Sequence, residues 1–203
     1  MSIIKDEIEK IKKTVTAKNP YDTVIQDVLK VKKDETVLII ANPATVEIAQ
    51  ANPEINYLGI EVHTPGVGKV LSEIQKRDLK NLYIIEYDAL EVLDKMIGNN
   101  SVNGIHIFFP DPWPKKRHHK RRMLQRPRTD LMAQKLAPSG YLYFVTDIVE
   151  YAEFALEELS LTKGLKNKYD GFAEPQTWRT QTKFERKGLA QDRQITEIFF
   201  EKQ

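Results

Sequence analysis

The chain predicts a doubly wound α/β fold: a largely parallel sheet with helices packed on both faces. Three observations carry this expectation. Short, nearly continuous apolar runs recur along the sequence, the pattern of parallel strands buried on both faces. Segments with apolar residues at helical spacing lie between those runs, so strand and helix signals alternate. The composition of the 203 residues, 41% hydrophobic and 30% charged with nine Gly and ten Pro, is that of an ordinary globular domain and excludes collagen-like, coiled-coil and wholly disordered classes. At this length a single domain over 1–203 is expected, and no internal repeat or low-complexity linker marks a boundary within it.

Ile4, Ile8 and Ile11 place a short amphipathic helix first. Asn19-Pro20 supplies an N-cap and a first-position Pro for a second helix bearing Val24, Ile25, Val28 and Leu29, which makes 1–33 a helical extension ahead of the sheet. Strands are then expected at Thr36–Ala41, Asn56–Val62, Leu82–Glu86, Ile105–Phe109 and Tyr141–Thr146. Helices are expected between them at Ala44–Gln50, Val67–Arg77, Ala89–Ile97 and Arg122–Leu136, the last on the spacing of Leu124, Leu131, Met132 and Leu136. Ile148–Leu159 reads as one more helix, and Leu165–Tyr169 and Gln194–Phe200 complete seven strands.

Apolar runs such as Val37–Ala41 and Ile105–Phe109 are far short of the roughly 20 residues a membrane helix needs. Met1–Lys10 lacks the apolar core of a secretory signal, and a chain with zero Cys forms no disulfide or thiolate metal site. A cytoplasmic location is expected. With no Cys and no His-x-x-x-His pair, no metal site is expected either. His63 and His106 read as structural residues.

Net charge is only +2, yet it is unevenly spread. Between Pro112 and Thr129 lie eight cations (Lys115, Lys116, Arg117, Lys120, Arg121, Arg122, Arg126 and Arg128) with His118 and His119 and no acid. A stretch of +8 within a total of +2 leaves −6 for the remainder. One dense basic segment on an acidic body points to a polyanion-binding face, because clustered cations neutralise phosphates and release counterions.

In a doubly wound sheet, ligands bind outside the carboxyl ends of the strands. The residues that follow the expected strands are Asn42-Pro43, Glu61, Tyr87-Asp88, Pro110-Asp111-Pro112-Trp113 and Asp147. Glu61 stands where nucleotide-binding folds keep a ribose-binding carboxylate, while Asp88 and Asp147 could equally cap the helices they precede. The first Gly of the chain is Gly59, so Ile40-Ala41-Asn42-Pro43-Ala44 lacks the open backbone of a phosphate-cradling turn. The segment from Ala41 to Asn56 is also short for a crossover.

The stretch Ile105-His106-Ile107-Phe108-Phe109-Pro110-Asp111-Pro112-Trp113-Pro114-Lys115-Lys116-Arg117-His118-His119-Lys120-Arg121-Arg122 resembles the signature of the bacterial tRNA (guanine-N7)-methyltransferases. The resemblance runs from about Asn52 to the C-terminus, through Gly59–Gly68, Asp88-Ala89, Thr146-Asp147 and Thr182-Lys183-Phe184-Glu185-Arg186. It implies the seven-stranded, Rossmann-like class I methyltransferase fold with the final strand antiparallel, S-adenosylmethionine as cofactor and tRNA as partner. It further implies three cofactor-binding residues: Glu61 at the ribose hydroxyls, Asp88 at the adenine region, and Asp111, which faces the reacting centre and is also the catalytic residue. Lys115, Lys116, Arg117, Lys120, Arg121, Asp147, Thr182, Lys183, Phe184 and Glu185 would contact the tRNA substrate. The family has an acid and several glycines where this chain has Leu38–Pro43, and often a His where it has Pro114. The first departure admits an alternative, a cofactor-deficient paralogue that binds tRNA without methylating it. An amino-group methyltransferase, suggested by Pro-Asp-Pro-Trp alone, is opposed by the basic run and the Thr-Lys-Phe-Glu segment.

Overall fold

The computed structural model describes residues 35–40, 44–179, 185–186 and 193–203. The chain divides into two compact units, Met1–Lys32 and Lys33–Gln203. All described residues belong to the second, and the helices expected within 1–33 lie outside them.

Seven strands form one sheet in the order β3-β2-β1-β4-β5-β7-β6. They are β1 (Thr36–Ile40), β2 (Asn56–Glu61), β3 (Leu82–Glu86), β4 (Val102–Phe108), β5 (Leu136–Thr146), β6 (Leu165–Asn167) and β7 (Thr196–Lys202). β1 to β5 pair in parallel, and β7 runs antiparallel to both its neighbours, as the resemblance implied. The parallel strands therefore deliver their carboxyl ends to one edge.

Five described helices connect them: α1 (Thr45–Ala51), α2 (Thr64–Arg77), α3 (Ala89–Lys95), α4 (Arg128–Lys135) and α5 (Val149–Ser160). The sheet alternates strictly. Val37, Ile39, Phe108, Tyr143, Val145 and Phe199 share one core with Val46, Ile48 and Ala49 of α1 and Val70 of α2. Leu38, Ile107 and Phe144 point the other way, and Phe144 meets Tyr151 of α5 edge-on at 5.3 Å. Each such fully buried side chain contributes roughly 1.5–3 kcal/mol through its removal from water.

Two of the boundaries that differ from expectation do so for identifiable reasons. α4 begins at Arg128, not Arg122: Pro127 has no N–H for a helical ladder, and Arg122 has extended backbone at ψ 138°. Upstream of it a 3-10 helix spans Lys116–Arg121, an element the charge pattern did not reveal. β5 begins five residues early, at Leu136, with a register shift against β4 between Val102 and Gly104. At Gly104 the ring of Tyr141 lies across the strand, 2.9 Å from where a Cβ would be, so only glycine admits that approach.

Candidate functional site

β2 and β3 end in register, with Glu61 opposite Glu86. Glu61 is half-buried, and its Oε1 accepts from the backbone N–H of Val62 at 2.8 Å and of His63 at 2.9 Å. The turn into α2 thus fixes the carboxylate, and Gly66 leaves room beside it. Glu86, which the sequence pattern had hidden inside a strand, accepts from the Thr64 hydroxyl. Asp88 caps α3: its Oδ1 accepts from Leu90 N–H at 2.9 Å and Glu91 N–H at 3.0 Å. Capping occupies that oxygen only.

β4 runs into the Phe109–Trp113 turn, where Phe109 and Trp113 both take left-handed backbone, at φ 47° and 45°. For aromatic residues this is strained, and such strain persists only where its surroundings enforce it. Phe109 N–H is held by the Val145 carbonyl at 2.8 Å, and Pro110 and Pro112 restrict φ on either side of Asp111. Asp111 is exposed, and its carboxylate accepts no hydrogen bond from the described residues. Its side chain therefore does not tie down the turn.

The basic run splits in two. Lys115, Lys116, Arg117, Lys120 and Arg121 are exposed and form no ion pair among the described residues. Arg121 lies over the Trp113 ring at 4.8 Å, linking the 3-10 helix to the Asp111 turn. The other three cations are engaged by partners within the fold. Arg122 is completely buried, Arg126 pairs with Glu158 at 3.3 Å, and Arg128 donates to the Arg122 carbonyl. His119 likewise buries its Nε2 and packs near Phe154 at 6.1 Å instead of extending the basic face.

At the end of β5, Asp147 accepts from Arg193 Nη1 at 2.8 Å and does not cap α5, whose N-cap is Ile148. Thr182, Lys183 and Phe184 lie outside the described residues, as do Ala41, Asn42 and Pro43. Glu185 is buried, and both its oxygens meet Arg179, at 2.5 and 2.8 Å. Its carboxylate is engaged within the fold, which corrects the expectation that it contacts the tRNA substrate. Arg179 was absent from the expected site.

Among the described residues, Glu61 retains an oxygen free of the turn, Asp88 one free of the cap, and Asp111 both. This set of carboxylate acceptors fits hydroxyl and amino groups, and so fits the nucleoside half of S-adenosylmethionine.

Residues 42–198 match the family described as "Putative methyltransferase". Among curated proteins, the tRNA (guanine-N(7)-)-methyltransferase of Treponema pallidum (strain Nichols) is 57% identical over 157 residues, 77% of this chain and 62% of its own length. The protein of that name from Francisella philomiragia is 47% identical over 157 residues, 77% of this chain and 69% of its own; the one from Chromobacterium violaceum is 47% identical, with 77% and 70% covered. The chain therefore spans less than two thirds of the Treponema relatives. Of solved structures, the 16S rRNA methyltransferase KamB superposes with a TM-score of 0.65 at 14% identity, covering 87% of this chain and 92% of that one. An antibiotic-related methyltransferase gives 0.61 at 18% identity, with 90% and 93% covered. At such identities these two establish the Rossmann-like fold of class I methyltransferases alone.

Proposed function

The chain belongs to the tRNA (guanine-N7)-methyltransferase family, and we propose that it transfers the methyl group of S-adenosylmethionine to N7 of a guanosine in the tRNA variable loop. The observation that carries this is the union, around one turn, of an exposed Asp111 and five exposed cations, none of them ion-paired among the described residues. Such a protein works in the cytoplasm, beside its substrate.

Bound S-adenosylmethionine would supply an electrophilic methyl on a positively charged sulfur. Glu61 would hold the ribose hydroxyls, its geometry set by the Val62 and His63 N–H groups. Asp88 would accept from the adenine amino group while capping α3. Guanine N7 carries an in-plane lone pair and no proton, so the chain need not remove one, and orientation dominates the barrier. Methyl transfer to N7 would leave positive charge on the guanine ring. The ring's N1 and N2 protons grow more acidic, so a fixed Asp111 carboxylate interacts more strongly with the transition state than with the ground state.

Lys115, Lys116, Arg117, Lys120 and Arg121 would neutralise tRNA phosphates, with Lys115 nearest the turn. Asp147 with Arg193, and Thr182, Lys183 and Phe184, would complete the substrate side.

The test is methyl incorporation into tRNA lacking N7-methylguanosine, followed by nucleoside analysis, alongside calorimetric titration with S-adenosylmethionine. We expect N7-methylguanosine as product and measurable cofactor binding. Absence of that product overturns the proposal; tRNA binding without cofactor binding at millimolar ligand would identify the non-methylating paralogue.

A further inference from the structure

Arg122 belongs by sequence to the basic run, yet no part of it reaches solvent. Its guanidinium serves three acceptors. Nε donates to the Pro112 carbonyl at 2.9 Å, Nη1 to Glu150 Oε1 at 3.0 Å, and Nη2 to Glu150 Oε2 at 2.5 Å. The group is enclosed by the rings of Tyr151 and Phe154, at 4.9 and 4.8 Å. Its own backbone continues the knot, since Arg122 N–H donates to the His119 carbonyl at 2.9 Å and Gln125 Nε2 donates to its carbonyl at 3.1 Å.

Pro112 follows Asp111 directly. Arg122 follows Arg121, the last residue of the 3-10 helix. The Arg122 to Pro112 bond therefore closes a loop containing Trp113 and all five exposed cations, and the Glu150 pair fastens that loop to α5. We propose that Arg122 is a positioning residue that locks the Asp111 turn and the basic helix into one rigid unit, so that RNA held by the cations presents its base to Asp111. This rests on the function proposed above.

Two other roles account for the geometry less well. A phosphate ligand needs an accessible guanidinium, and this one has no exposed surface. A purely stabilising role is a weak reason for a buried charge, because desolvation offsets most of the attraction and an apolar residue of similar volume is often as stable. What an apolar residue cannot supply is a planar fork that reaches a carbonyl and two carboxylate oxygens at once.

The experiment uses the full chain with Arg122→Met and Arg122→Lys. Thermal melts, calorimetric S-adenosylmethionine affinity, tRNA affinity at several salt concentrations and single-turnover kcat are measured for each. Both variants should melt near the wild type and bind cofactor within about twofold of it. The slope of log affinity against log salt should not change, because the substitution removes no phosphate ligand. Turnover should fall roughly 10–100-fold, the scale of a small misplacement of reacting groups, with Lys recovering little. A slope reduced by roughly 0.7–0.9 would make Arg122 a phosphate ligand, and unchanged turnover would remove the positioning role. Should both variants fail to fold, Glu150→Gln, at a side chain 58% exposed, decides the question instead: it should lower turnover several-fold at constant salt slope, and wild-type turnover in it overturns the proposal. Wild-type protein that makes no N7-methylguanosine overturns the function itself, a distinct result from an active wild type matched by its Arg122 variants.

Discussion

Arg179 and Glu185 face each other as a bidentate pair in which each side chain is only 4% exposed. The same guanidinium reaches Glu197 on β7 at 2.5 Å and the Tyr143 hydroxyl on β5 at 2.8 Å, while Glu197 also accepts from Tyr143. Burial alone works against the Arg179 charge, but these acceptors hold its pKa above the ordinary range. One cation thus ties Glu185 to two neighbouring strands of the sheet. Removing it strands two buried carboxylates, so Arg179→Met should lower unfolding free energy by about 3–5 kcal/mol. Urea denaturation at neutral pH checks this, and a decrease below about 1 kcal/mol would make the network dispensable.

Beside that network His106 is entirely buried on β4, its Nε2 against the Tyr141 hydroxyl at 2.9 Å and its ring stacked on Trp178 at 4.8 Å. Burial, reinforced by the Arg179 charge, lowers its pKa to about 3. The native ring stays neutral where the unfolded one, with pKa near the ordinary value of about 6.5, takes up a proton. Stability from this group is therefore complete above pH 6.5 and is lost as pH falls towards 3. Between pH 7 and pH 5 the decrease should be about 2 kcal/mol. His106→Gln, which can still meet Tyr141, should lack this component; equal pH dependence in the two proteins would contradict it.

The five exposed cations should behave as phosphate ligands. Replacing Lys116, Arg117, Lys120 and Arg121 by Ala is expected to weaken tRNA binding and to flatten its salt dependence, by roughly 0.7–0.9 in log–log slope for each phosphate ligand removed. An unchanged slope would assign the segment to an ordinary solvated surface.

Glu61→Ala should weaken S-adenosylmethionine by roughly 10–150-fold, the equivalent of losing one charge-assisted hydrogen bond of about 1.5–3 kcal/mol. The Val62 and His63 N–H groups lose their acceptor too, so circular dichroism is needed to establish that α2 survives. Calorimetry giving equal affinity would dismiss Glu61 as a ribose ligand.

The sheet could be read in the sequence because parallel strands buried on both faces leave apolar runs that little else produces: Leu38, Ile39, Ile105 and Phe144 are all fully buried. Strand ends were legible for the same reason, and with them Glu61, Asp88, Asp111 and Asp147. Charges in the basic run were less transparent, since their acids come from elsewhere in the chain. Arg122 finds Glu150, and Arg126 finds Glu158; neither acid is close enough in sequence for helical spacing to reveal the pair. Glu86 escaped notice because its importance lies in register, opposite Glu61 across two strands. Glu185 looked like a recognition residue within Thr-Lys-Phe-Glu, and only the fold brings Arg179 onto both its oxygens.

Asp111 remains the sharpest test of the chemistry. Its turn is held by two prolines, by left-handed Phe109 and Trp113, and by the Arg122 bond to the Pro112 carbonyl, while the carboxylate itself stays exposed and unbonded among the described residues. A residue so fixed, yet unused by the fold, should matter to rate more than to stability or tRNA affinity. Asp111→Asn preserves shape and removes charge. If the carboxylate meets positive charge developing in the guanine ring, kcat should drop by roughly 10²–10³-fold, a barrier increase of about 2.7–4 kcal/mol, with tRNA affinity nearly constant. If it served only as a turn residue, Asn would replace it without penalty, because Asn suits the same turn conformations. Single-turnover methylation of tRNA lacking N7-methylguanosine separates the two outcomes, and wild-type kcat in the Asn variant would remove Asp111 from the mechanism.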